Sequence, residues 1–82
     1  MPDAVSLRLQ LACAKRELAL RARVYPRLVA NERMLQSTAT QELAAMSAIV
    51  RTLARLVEAE RGDVERQAEL FDARASRGEG EA

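Results

Sequence analysis

The sequence predicts an all-α fold, an antiparallel helical hairpin. Three observations carry that reading. From Ser6 to about Ala75 the chain is dominated by Ala, Leu, Arg, Glu and Gln, which lose little on entering a helix. Its apolar residues recur at intervals of three and four, with no Val, Ile, Thr or aromatic alternation of strand type. Between two such periodic stretches, around Asn31 to Thr38, stands a run of capping and turn residues.

The first helix is expected over about residues 5–31. At about 100° per residue, Leu7, Leu11, Ala14, Leu18, Ala22, Tyr25 and Val29 share an arc roughly 80° wide, the core stripe. A second apolar set, Leu9, Cys13, Leu20 and Val24, falls on nearly the opposite side. A helix apolar on two faces has two neighbours. Pro26 lies inside this pattern, cannot donate to the Ala22 carbonyl and disfavours helical geometry at Tyr25, so it either kinks one helix or begins a new one. Because Leu28 and Val29 continue the pattern, a kink is the expected outcome.

Asn31 is a residue that tolerates the left-handed geometry of a helix end, and Thr38 with Gln41 forms a capping box, so the second helix is expected to begin at Thr38. Leu43, Met46, Val50, Leu53 and Val57 then alternate by three and four. Ile49 and Leu56 widen that arc to roughly 160°, too wide for a single partner helix. The second helix is expected over 38–61 and on to about 75. At Gly62-Asp63 it either continues, since Val64, Ala68 and Phe71 keep the register, or breaks, with Asp63 opening a short third helix. Residues 1–75 form the single expected domain, and the glycine-containing tail over 76–82, which lacks large apolar side chains, is expected to be disordered.

Eighty-two residues allow one small domain whose core is near break-even against chain entropy. One Cys permits no internal disulfide, and the absence of His removes any credible zinc site. Self-association or a partner chain is the expected source of the missing buried area. Two hairpins meeting through Leu9, Cys13, Leu20 and Val24 and through the broad arc around Ile49 and Leu56 would make a homodimeric four-helix bundle.

Charge is divided along the chain. Residues 1–37 hold seven basic and three acidic residues, a balance of +4, and residues 38–82 hold six against nine, a balance of −3. Halves of opposite sign suit helices lying against each other or against a second copy. No run of apolar residues approaches the roughly 18 to 20 that span a bilayer, and Met1-Pro2-Asp3 does not open a secretory signal, so a cytoplasmic location is expected.

The functional inventory is short. No His is available as a base, Cys13 stands in an apolar stripe that favours inert packing, and the acids Glu58, Glu60, Asp63 and Glu65 are accounted for by helix-surface pairs such as Glu58 with Arg61 and Arg61 with Glu65. No catalytic, cofactor-binding or metal-binding residues are expected, and the chain reads as a non-enzyme. The candidate binding face is Arg16, Arg23 and Arg27, within about 40° of one another beside the second apolar stripe. These guanidiniums either lie over that stripe and pair with acidic partners across an interface, or contact the phosphates of a nucleic acid. Near-zero net charge and the lack of stacking aromatics favour the first use. Tyr25 lies on the main stripe, with Arg21 at its edge as a partner for its hydroxyl or for Glu17.

The segment Lys15-Arg16-Glu17-Leu18-Ala19-Leu20-Arg21-Ala22-Arg23-Val24-Tyr25-Pro26-Arg27-Leu28-Val29, followed by Arg33-Met34 and by Glu42-Leu43-Ala44-Ala45-Met46-Ser47-Ala48-Ile49-Val50, resembles a family of short helical proteins encoded by bacteriophages and prophages. Its pattern is KRELAxRxRVYPRxV, then GRM, then AxxELAxMxAI, and the likeness covers about residues 15–53. Members have no assigned activity, so the resemblance implies a phage-encoded helical protein in the bacterial host cytoplasm and no reaction. The family has Gly before Arg-Met and Thr or Ser after it, whereas Glu32 and Leu35 stand there in this chain. That departure is a second reason to expect the second helix to start at Thr38.

Overall fold

A computed structural model of the chain describes residues 4–81, and the side chains of residues 4–72. Two helices, α1 over Leu7–Ala30 and α2 over Gln36–Glu81, pack against each other as a hairpin, with no strand among the described residues. The lengths are unequal, 24 residues against 46, and the molecule is a rod of 75 × 27 × 14 Å. Its radius of gyration is 21.2 Å, where a compact chain of this length would have about 12 Å.

Helix α1 begins at Leu7, directly after its cap residue Ser6. Ser6 has extended dihedrals, and its Oγ accepts the amide of Leu9 at 3.1 Å, satisfying one of the free donors of the first turn. The helix runs through Pro26 and ends one turn later, so no new helix begins there. Proline at that point removes the one bond to the Ala22 carbonyl and is followed by only a single turn.

The reversal differs from the expected one in both of its caps. Asn31 keeps φ −92°, and the left-handed residue is Glu32, at φ 58°. The Arg33 amide donates to Leu28 O at 2.8 Å and the Glu32 amide to Val29 O at 3.0 Å, the paired bonds of a Schellman turn with Glu32 in its glycine position. Helix α2 then starts at Gln36 and not at Thr38. The Leu35 carbonyl accepts the Ala39 amide at 3.0 Å, which makes Leu35 the N-cap, and Thr38 is already inside the first turn. The Thr38 to Gln41 capping box therefore does not form. Early initiation places Ala39 and Leu43 on the side facing α1.

Helix α2 continues without interruption through Gly62, so Asp63 opens no third helix among the described residues. Gly62 has no positive φ, and a Cβ built on it would meet only the end of Arg66, at 4.0 Å. The expected disordered tail at 76–82 falls where the side chains lie outside the described residues.

The seam between the helices is a run of four- and three-residue steps: Leu7, Leu11, Ala14, Leu18, Arg21, Tyr25 and Leu28 on α1, against Ala39, Leu43, Met46, Val50, Leu53 and Val57 on α2. All are buried or half-buried, but only Ala14, Ala39 and Met46 are buried among the described residues, and none of them completely. Ala22, expected in the stripe, is exposed, and Arg21 occupies the seam in its place. The strict heptad step favours residue 21 over 22, and the guanidinium is accommodated by ion pairs. Arg21 Nε donates to Glu17 Oε1 at 2.8 Å and Nη1 to Glu42 Oε1 at 3.4 Å, linking the two helices. The hydrogen bond to Glu17 and the nearby acids hold the Arg21 guanidinium above its ordinary, already alkaline range, against the opposing effect of desolvation.

Helix α1 ends its contact with α2 near residue 60. A hollow lined by Arg8, Val57, Glu60, Arg61 and Val64 marks the level at which α1 begins. Beyond Val64, α2 projects alone for about 17 residues, roughly 26 Å at helical rise.

Candidate functional site

The seam positions leave apolar residues outside it in an ordered arrangement. On α1, Leu9, Cys13, Arg16, Leu20, Arg23 and Arg27 step by four and three and so form one outward row, turned away from the seam. All six are exposed. The Arg16, Arg23 and Arg27 set is therefore interleaved with the Leu9, Cys13 and Leu20 set, where the sequence had placed the two side by side. Arg16 Nη2 donates to Cys13 Sγ at 3.2 Å, folding back over the row. Cys13 is open to solvent, so the inert packing expected for it does not occur within one chain.

Val24 differs from the rest of its expected stripe, since it is half-buried and borders the seam. Residues seven apart repeat on one face of a coiled pair, so Glu17 and Val24 form one row of α1, and Glu42, Ile49 and Leu56 form one row of α2. The bond from Arg21 to Glu42 fixes which flank these rows share. The opposite flank carries Arg8 and Arg61, on the two sides of the hollow at the start of α1. Leu20 (44% exposed), Val24, Ile49 (48%) and Leu56 (46%) thus border one side of the hairpin. That side is a groove between the two helices, apolar at these four residues and crossed by the Arg21, Glu17 and Glu42 ion pairs, with Cys13 at its rim. Leu9 stands apart, on the outer face of α1.

The projecting end of α2 has its own exposed apolar residues, Val64, Leu70 and Phe71. Val64 and Phe71 continue the α2 seam at seven-residue spacing after α1 has ended. Only part of this was legible beforehand. Periodicity gave the register of Val64 and Phe71, but their nakedness comes from the unequal lengths of the helices. The charge follows the same division. Residues 58–72 carry six acids and two arginines, and α1 carries six basic residues and one acid. Within α2, Arg61 pairs with Glu58 at 3.8 Å and Glu65 at 3.5 Å, as the spacing predicts, and Arg66 pairs with Asp63. Arg16, Arg23 and Arg27 make no ion pair among the described residues.

Among the described residues no group of three or more Cys, Asp or Glu side chains is placed to hold a metal ion. No described polar side-chain atom is buried without a hydrogen-bond partner. Another hollow, lined by Val29, Glu32, Arg33, Met34, Leu35 and Gln36, belongs to the turn. No described helix is long and apolar enough to cross a membrane. Compared with protein-family models, with curated proteins and with solved structures, the chain matches none.

Proposed function

We propose that this chain is a non-enzymatic, phage-encoded interaction protein that acts by docking its helical surface on another protein of the phage or its host, as an accessory or an inhibitor. The observation that carries this reading is the amount of surface left open. The chain exposes 6727 Å², whereas a compact protein of 9.1 kDa exposes about 4,900 Å². The excess, about 1,800 Å², exceeds the roughly 800 Å² that each partner buries in a standard interface. The open surface includes the exposed apolar residues Leu9, Leu20, Ile49, Leu56, Val64, Leu70 and Phe71, and apolar side chains grouped at a surface mark an interaction site.

The reading is tested by capture from bacterial lysate with the wild type and with R23E/R27E. A protein retained in stoichiometric amount by the wild type and released by the charge reversal is the expected result. Retention of nothing by either protein would contradict it. The second reading, a nucleic-acid-associated factor of phage replication, recombination or packaging, is favoured by one observation, the three outward arginines that lack acidic partners among the described residues. Affinity for single- or double-stranded DNA that falls steeply with salt, and is lost in R23E/R27E, would establish it in place of the first.

A further inference from the structure

We propose that the partner for the groove is the projecting arm of α2 from a second copy of this chain, given and received reciprocally. The proposal rests on the preceding reading that the open helical face is a docking surface, and it names the occupant. Three properties of arm and groove agree. The first is length: the arm, about 17 residues, lies within the 24-residue span of α1 when it folds back along a neighbour. The second is period: Val64 at the foot of the arm and Phe71 on it are seven residues apart, as are Ile49 and Leu56 on one wall of the groove and Cys13 and Leu20 on its rim. The third is charge: the acidic segment 58–72 would lie beside the N-terminal half of the neighbour's α1, which holds Arg8, Lys15 and Arg16.

The geometry closes under a two-fold axis placed near Glu60 of each α2. With the two α2 helices antiparallel about that point, Val64 of one copy comes level with Val57 of the other, and Phe71 level with Val50. On that register the arm lies parallel to the neighbour's α1. Each cross-section of the rod then holds three helices, two from one copy and the arm of the other, with Val64 brought level with Leu56 and Val57 and Phe71 level with Ile49 and Val50. A side-by-side four-helix bundle would instead cover the groove and leave Val64 (61% exposed), Leu70 (66%) and Phe71 (73%) in water.

Light scattering coupled to size exclusion tests this with four samples of the full chain at tens of micromolar. The wild type is expected at twice the chain mass of 9.1 kDa. An arm variant, L70E/F71E, and a groove variant, L20E/I49E, are each expected at the single-chain mass with helical circular dichroism retained, because all four positions are exposed in the hairpin. An equimolar mixture of the two variants is expected to return to twice the chain mass, through the one intact arm meeting the one intact groove. That recovery also shows that both variants are folded. A wild type at the single-chain mass overturns the exchange, while the docking reading is still decided by the lysate capture. A dimeric arm variant overturns it in favour of a hairpin-to-hairpin contact, and so does failure of two monomeric, helical variants to complement each other.

Discussion

Replacing Glu32 by glycine should stabilise the fold, and the turn geometry sets by how much. Glu32 holds φ 58°, a region that costs a residue with a Cβ about 1–2 kcal/mol. Glycine removes that strain but adds unfolded-state entropy worth about 0.4–1 kcal/mol, leaving a net gain of about 0.5–1 kcal/mol. Loss of a negative charge beside the C-terminal end of α1 adds a few tenths more. Two companions isolate the backbone effect. E32A removes the charge and keeps the strain, so E32G should exceed it by roughly the net gain just worked out. N31G alters a residue at φ −92°, where glycine relieves nothing and costs about 0.5–1 kcal/mol. Urea unfolding followed by helical ellipticity, at one fixed chain concentration so that any association cancels, reads all three. If N31G stabilises and E32G does not, the left-handed residue is Asn31, and the register of the hairpin turn is wrong.

Other substitutions test the remaining parts of the fold. L35S supplies the side-chain acceptor that the α2 N-cap lacks and should raise stability by about 1 kcal/mol in the same assay, whereas T38A, inside the first turn, should cost far less than loss of a true cap. G62A places its methyl in open space and should gain about 1 kcal/mol, with slower amide exchange on both sides of residue 62; a loss would show a break there. M46A empties one of the few buried positions and should cost about 2–3 kcal/mol, toward the lower end for core truncations because so narrow a seam can close around the gap. R23E/R27E, which touches no ion pair among the described residues, should leave unfolding within about 0.5 kcal/mol of wild type, so that any effect on binding is read at the surface.

Helix content and seam register were legible in the sequence because both follow from local chemistry. Leu43, Met46, Val50, Leu53 and Val57 announce one face through spacing alone, and the structure puts that face against α1. The turn was legible in outline only. Asn31 and Thr38 are the residues that caps prefer, yet the chain uses Glu32 and Leu35. Propensity lost to geometry there, since starting α2 at Gln36 brings Ala39, almost wholly buried, under α1. Arg21 shows the same contest inside the seam: hydropathy selects Ala22, the heptad step selects residue 21, and the bonds to Glu17 and Glu42 make the charged residue tolerable there. The projecting arm could not be read from spacing at all. It depends on where α1 starts relative to α2, and that relation exists only once the hairpin closes.

Arm length also gives the most direct test of the central claim, that the apolar rows of this chain are covered by the arm of a second copy. Small-angle X-ray scattering of the wild type measures mass and longest dimension together. Reciprocal exchange predicts a particle of twice the chain mass that is scarcely longer than the 75 Å of one hairpin, since each arm lies back along its neighbour. A dimer near 100 Å, the length of two overlapped hairpins with both arms projecting at helical rise, would contradict it, as would a particle of 9.1 kDa.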